Sequence, residues 1–223
     1  MGHWSLIASE VTDDKTAFAV TLAHRHLYDS IHDSFRMEYP DTKYSYEDIV
    51  TMLEDRIILT RLSKMLFVNG LKCAWTYILN TLDQPINIAY MKKIYSIIGE
   101  RDERTLTGIR TGRYLAEDNP FAGRAVEGCE VRDKLISIEA IEDPKERAYE
   151  LYTYIVSNGL FINNNIHVAG LLANKILIGN GVGVLSVVPK KNEEEFETHL
   201  EEVTVTKYSE GLHKYLEMCT EFV

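Results

Sequence analysis

The segment FINNNIHVAGLLANKILIGNGVGVLSVVP, Phe161 to Pro189, decides the fold. It reads as a polar, asparagine-rich loop running straight into an apolar helix, then a Gly-rich turn and a short strand expected over Val182–Val188. A loop that opens a helix presents backbone N–H groups without intrahelical partners, at the positive end of the helix dipole. That is the ordinary chemistry for holding an anion. The spacing is that of a phosphate-handling motif, yet the residue types that would perform chemistry there are mostly missing.

Working outward, the preceding segment begins at Asp143-Pro144-Lys145-Glu146-Arg147, with proline at the first helical position. The helix continues through ERAYELYTYIV, with Ala148, Leu151, Tyr152 and Ile155 on one face. Further upstream, residues 1–40 predict an arm dominated by one long helix, its apolar positions Phe18, Leu22, Leu27 and Ile31 at roughly helical spacing and Pro40-Asp41 as its break. Ser45 is placed to cap a helix from Tyr46 to about Ile58. A third helix is expected over Leu62–Leu82, with Phe67, Leu71, Trp75 and Leu79 as its stripe, and a fourth over Ile88–Gly99. Leu106–Phe121 reads as a hairpin or flap. Downstream, Glu193–Glu202 predicts an amphipathic helix with Phe196 and Leu200 inward, and a last helix runs from about Ser209 to Cys219. The fold class is therefore mainly α, a helical bundle with a small β-hairpin flap and an N-terminal helical arm.

The chain has 223 residues, 45% hydrophobic and 26% charged, enough to bury a real core. A formal charge of −10 opposes binding to nucleic acid or an anionic membrane. No apolar run reaches membrane-spanning length, and MGHWSLIASEVTDD lacks the basic-then-apolar pattern of a secretory leader. Cys73, Cys129 and Cys219 are odd in number and far apart, which fits a reduced cytoplasm with the thiols as packing residues.

Four collinear segments bring a family into view. Asn69–Leu79 (NGLKCAWTYIL), Thr107–Ala116 (TGIRTGRYLA), Ala148–Phe161 (AYELYTYIVSNGLF) and Leu171–Pro189 (LLANKILIGNGVGVLSVVP) together resemble the Fic/Doc (Fido) family over roughly residues 45–220. The resemblance is to small bacterial Fic-like proteins with an N-terminal helical arm. It implies an arm over 1–44, a Fic-like domain over 45–223, and a flap at Thr107–Ala116 that would lay a target protein beside the site, with Arg110 and Thr111 on it. The family's loop has the form H-x-F-x-[D/E]-[G/A]-N-[G/K]-R, and the implied activity is transfer of AMP, or another phosphate-containing group, to a protein hydroxyl. ATP with Mg²⁺ is the implied cofactor if the chain is active. Histidine is the base, the acid holds Mg²⁺, the Gly-Asn backbone and helix N-terminus cradle phosphate, and arginine contacts it.

Laid onto that form, Gly159 stands at the histidine, Phe161 keeps the aromatic, Asn163 stands at the acid, Asn164 at the glycine, Asn165 keeps the asparagine, and His167 stands at the arginine. A positioned general base is worth about 10²–10⁴ in rate. Magnesium ion prefers carboxylate and phosphate oxygens, and a histidine cannot reproduce the always-charged guanidinium fork. The family reaction is therefore expected to be crippled.

The remaining candidates each carry two readings. His167 is either a substitute phosphate contact or relocated base, or a polar helix-cap residue facing solvent or a neighbouring carbonyl, the second favoured. Asn163, Asn164 and Asn165 are anion-binding candidates or simply turn formers, since asparagine tolerates left-handed backbone. Arg110 meets a target or makes an ordinary surface pair. His24, His26 and His32 lack the helical spacing of a metal site, and no metal site is expected. The family's regulatory helix, S/T-x-x-x-E-G/N, has no full copy, and Ile49–Asp55 lies where it could fall but with the wrong spacing.

The expectation is thus a Fic-like protein with a degenerate catalytic loop, lacking AMP-transferase activity and working by binding a protein partner or phosphate-bearing ligand. The rival is an active nucleotidyltransferase, for protein AMPylation or a related sugar-nucleotide transfer, with His167 or an arm residue as an unorthodox base. A third option is an interaction protein that mimics a Fic protein.

Overall fold

The computed structural model describes residues 14–54, 62–99, 128–186 and 193–223. Its described elements are α1 (Asp14–Glu38), α2 (Tyr46–Leu53), α3 (Leu62–Leu79), α4 (Ile88–Ile98), α5 (Gly128–Glu139), α6 (Pro144–Asn158), α7 (Asn165–Gly179), β1 (Gly183–Leu185), α8 (Glu193–Thr206), α9 (Glu210–Met218) and β2 (Thr220–Phe222).

α7 is the centre. His167 to Ala169 and Leu171 to Ile178 are all buried, and a helix enclosed on every side must be apolar nearly all round. α6 and α7 pack along each other as a helical hairpin, the most extensive contact between described elements. α1, α3, α4 and β1 cover α7, while α5, α8 and α9 pack on α6. One buried cluster runs through all of these helices, from Ala19, Ile31 and Phe35 of α1 to Leu212 and Tyr215 of α9. The arm helix is thus built into the body's core. No described helix is long and apolar enough to cross a membrane.

Local chemistry sets the ends of the elements. Ser45 accepts from the Asp48 N–H while the Asp48 carboxylate accepts from the Ser45 N–H, a complete capping box for α2. Asn87 caps α4 and Asp143 caps α6, ahead of Pro144. α3 and α4 approach closely because residue 70 is glycine. A Cβ there would sit 2.8 Å from the Ile97 carbonyl oxygen.

Several elements differ from the sequence expectation. α3 ends at Leu79, and Ile78 takes the buried stripe position expected of Leu79. Phe18 points outward, 52% exposed. α5 was not expected, because its apolar positions are sparse and only Val131 and Ile138 are buried. β2 was not expected either; three residues carry no periodic signal, and only pairing with β1 makes them a strand. The two run antiparallel, with Val184 opposite Glu221. α8 extends a turn past Glu202. Among the cysteines only Cys219 is buried; Cys73 and Cys129 are exposed, and no disulfide joins the three. The expected flap, with Arg110 and Thr111, lies outside the described residues, as do residues 187 and 188 of the expected strand.

Candidate functional site

The loop of the α6–α7 hairpin is built by its own residues. α6 stops because Gly159 takes a left-handed conformation, φ 51° and ψ 51°, and its N–H turns back to the carbonyls of Ile155 and Val156. Any residue with a Cβ would hold that geometry at a cost of about 1–2 kcal/mol. Position 159 therefore serves as a helix stop and carries no side chain.

Phe161 is fully buried and stacks on Tyr95, ring centres 4.8 Å apart. Asn165 closes the loop across it. Its Oδ1 accepts from the Phe161 N–H at 2.8 Å and its Nδ2 donates to the Phe161 carbonyl at 2.9 Å. Tyr95 Oη donates to Asn163 Oδ1 at 2.9 Å, and burial raises the pKa of that hydroxyl, keeping it a donor. Asn164 is left-handed, φ 58°, and its Nδ2 reaches Asn163 Oδ1 at 3.3 Å. Asn164 offers no side-chain cap to α7, so the first-turn N–H groups are not closed off by their own N-cap residue.

His167 is neither solvent-facing nor aimed at a carbonyl, which corrects the cap-residue expectation. It is 6% exposed, its ring edge lies against Phe67 at 5.3 Å, and its Nε2 is 3.5 Å from Glu38 Oε2. The cause is the arm. α1 crosses α7 and delivers Glu38, its last residue, to the loop–helix junction. His167 beside it holds the Glu38 carboxyl below its usual range, through hydrogen bonding first and charge second, against the opposing effect of burial. The S-x-x-x-E spacing sought at Ile49–Asp55 occurs at Ser34 to Glu38, followed by Tyr39.

The donor set does not suit Mg²⁺. Asn163 offers a neutral oxygen where the family has a carboxylate, and that oxygen already accepts two hydrogen bonds. Among the described residues no three His, Cys, Asp or Glu side chains cluster as metal ligands. His26 pairs with Glu221 at 2.9 Å and His32 lies edge-on to Tyr46, so these two arm histidines serve separate contacts.

Sequence reasoning missed Glu38, Tyr95, Asn174 and Lys175. Asn174 and Lys175 were visible as an amide-cation pair inside the apolar run LLANKILIG. Asn174 exchanges two hydrogen bonds with the Leu185 backbone, 2.8 and 2.9 Å, and so satisfies β1 on the side away from β2. Lys175 is 3% exposed, donates to the Thr81 carbonyl, and lies 4.8 Å from the Tyr90 ring centre. Burial pushes its ammonium down to about 8, with Asp83 opposing.

No family model matches the chain, and no curated protein does. Solved structures do. A fragment of Fic-1 from C. elegans superposes with a TM-score of 0.69 at 18% identity, covering 95% of this chain and 64% of that one. A Glu→Gly variant of the same fragment gives 0.65, also at 18% identity and with the same coverage. This chain therefore spans a little under two thirds of the length of the chains it matches. At such identity the likeness shows the fold, and the fold is Fic-like.

Proposed function

We propose that this Fic-like fold carries a degenerate catalytic loop, lacks AMP-transferase activity, and acts by binding a protein partner or a phosphate-bearing ligand at the first turn of α7. The observation that carries this reading is the state of the three replaced positions. Gly159 is a backbone stop, Asn163 is tied to Tyr95, and His167 is buried against Glu38 and Phe67. None of them presents a base, a metal carboxylate or a fixed cation to a phosphate, which are the groups phosphoryl-type transfer depends on. The first turn of α7 keeps its dipole and N–H groups, so the means of binding an anion outlast the means of reacting with it.

The same reading has the protein working in a reduced bacterial cytoplasm, as the odd number and wide spacing of Cys73, Cys129 and Cys219 suggest. The test is incubation of purified protein with labelled ATP, Mg²⁺ or Mn²⁺, and host lysate. No label transfer is expected, while ADP or inorganic phosphate raises the melting temperature as a ligand of the folded state must, or the lysate yields a saturable protein partner. Label transfer that survives denaturation overturns the reading and favours an active nucleotidyltransferase with an unorthodox base.

A further inference from the structure

Among the described residues, Lys64 of α3 differs from the other lysines that lie over aromatic rings. Lys134, over Tyr154, also pairs with Glu150 at 2.6 Å, and Lys175, over Tyr90, also donates to the Thr81 carbonyl. Lys64 Nζ stands 5.1 Å from the Tyr39 ring centre and 5.2 Å from that of Tyr44, and among the described residues it has no carboxylate or carbonyl partner. An ammonium within about 6 Å of a ring centre is attracted by the negative face of the ring. Both tyrosines belong to the turn between α1 and α2. That turn closes on Tyr39, whose carbonyl accepts from the Thr42 N–H at 3.1 Å and from its hydroxyl at 2.8 Å. The Tyr39 ring also packs on Phe35 and Phe67, with centres 5.1 and 5.7 Å away, and Phe35 meets Tyr44 at 5.8 Å. Lys64 and Phe67 are three residues apart on α3, so they share a helix face and grip Tyr39 together. Tyr39 directly follows Glu38, and the Phe67 ring meets His167 at 5.3 Å. The contacts of Lys64 therefore lead to the junction where α1 meets the start of α7.

We propose that Lys64 is a charge-dependent clamp, a positioning residue whose ammonium holds Tyr39 and Tyr44 and so fixes the α1–α2 turn, with Glu38 at its head, against α3. The rings are what the cation has in place of an anion, and both come from the same short turn. An apolar side chain of similar length would fill the space beside the rings but leave their negative faces without a cation. A guanidinium keeps the charge and stacks on aromatic faces, so arginine can replace the lysine here where methionine cannot. The clamp acts through position alone, and it holds whether or not the first turn of α7 binds an anion.

Two measurements test it on the full chain. In the wild type, NMR should find the Lys64 ε-methylene protons upfield of ordinary lysine positions, because they lie over ring faces, and Tyr44→Leu should reduce that shift. Hydrogen exchange at the Thr42 amide, which is bonded to the Tyr39 carbonyl, should run about 2–5-fold faster in Lys64→Met, the factor that a surface cation–π contact is worth. Lys64→Arg should exchange near the wild-type rate. Unshifted ε-protons in the wild type overturn the proposal, and that result needs no variant to fold. Exchange in Lys64→Met at the wild-type rate overturns it as well, as does a Lys64→Arg protein that exchanges as fast as Lys64→Met.

Discussion

Gly159 shows how one residue can set the end of a helix. Its left-handed backbone ends α6, a role that glycine fills best and asparagine next. Gly159→Ala should therefore lower unfolding free energy by about 1–2 kcal/mol, with Gly159→Asn costing less, as read from denaturant midpoints at constant slope. Lys175 makes a second residue-scale case. Its folded pKa of about 8 lies below the ordinary value of 10.5, so above pH 8 the unfolded chain holds the proton more tightly than the folded one. Stability contributed by this group consequently rises between about pH 8 and 10.5, and the cost of burying the cation is fully present below pH 8. The wild type should gain about 1–3 kcal/mol over that window relative to Lys175→Met, since each tenfold difference in proton affinity between the folded and unfolded chain is worth roughly 1.4 kcal/mol. Chemical denaturation of both proteins across the window measures the difference, and parallel pH profiles would contradict it.

At the scale of elements, α7 and the β1–β2 pair depend on one another. A two-stranded ladder is marginal by itself, and β1 presents a second edge that has to be satisfied. Asn174 does so from the helix, pairing with the Leu185 N–H and carbonyl as a neighbouring strand would. Asn174→Ala leaves both backbone groups buried without that partner and should cost about 2–3 kcal/mol. Hydrogen exchange at Val184 and Leu185 should accelerate in the same variant, locating the loss in the strand. Helix existence here was legible from spacing and caps. Ser45 and Asp143 announced two starts, and each caps as its side chain allows. α5 and β2 were not legible, because their place comes from neighbours: α5 buries only two side chains, and β2 forms by pairing.

For the whole molecule, the arm is the decisive feature. α1 packs on α2, α3, α7 and β1, and it buries Ala19, Leu22, Ala23, Ile31 and Phe35 in the common core. Deleting residues 1–44 should uncover the apolar surfaces of α3 and α7 and leave a protein that binds hydrophobic dyes and unfolds without a sharp transition. A truncated chain that melts as cooperatively as the full one would show the arm to be a separate appendage. The same packing explains why the site was only half visible beforehand. Asn164 and Asn165 could be read locally, since their side-chain partners Asn163 and Phe161 lie within four residues, whereas the contacts of Asn163 and Phe161 with Tyr95 could not. His167 could not, because Glu38 stands far earlier in the chain and meets it only after α1 has crossed α7.

By itself the sequence determined a mainly helical Fic-like chain, the order of its helices apart from α5, and the loop between α6 and α7. Those are matters of residue identity and short-range spacing, which backbone sterics, capping and hydrophobic periodicity translate directly into structure. Tertiary structure alone decided that His167 is buried against an arm carboxylate and that Asn174 and Lys175 complete distant backbone groups. Each of these joins separate elements of the fold. Burial and hydrogen-bond satisfaction impose such pairings only once the whole core has closed.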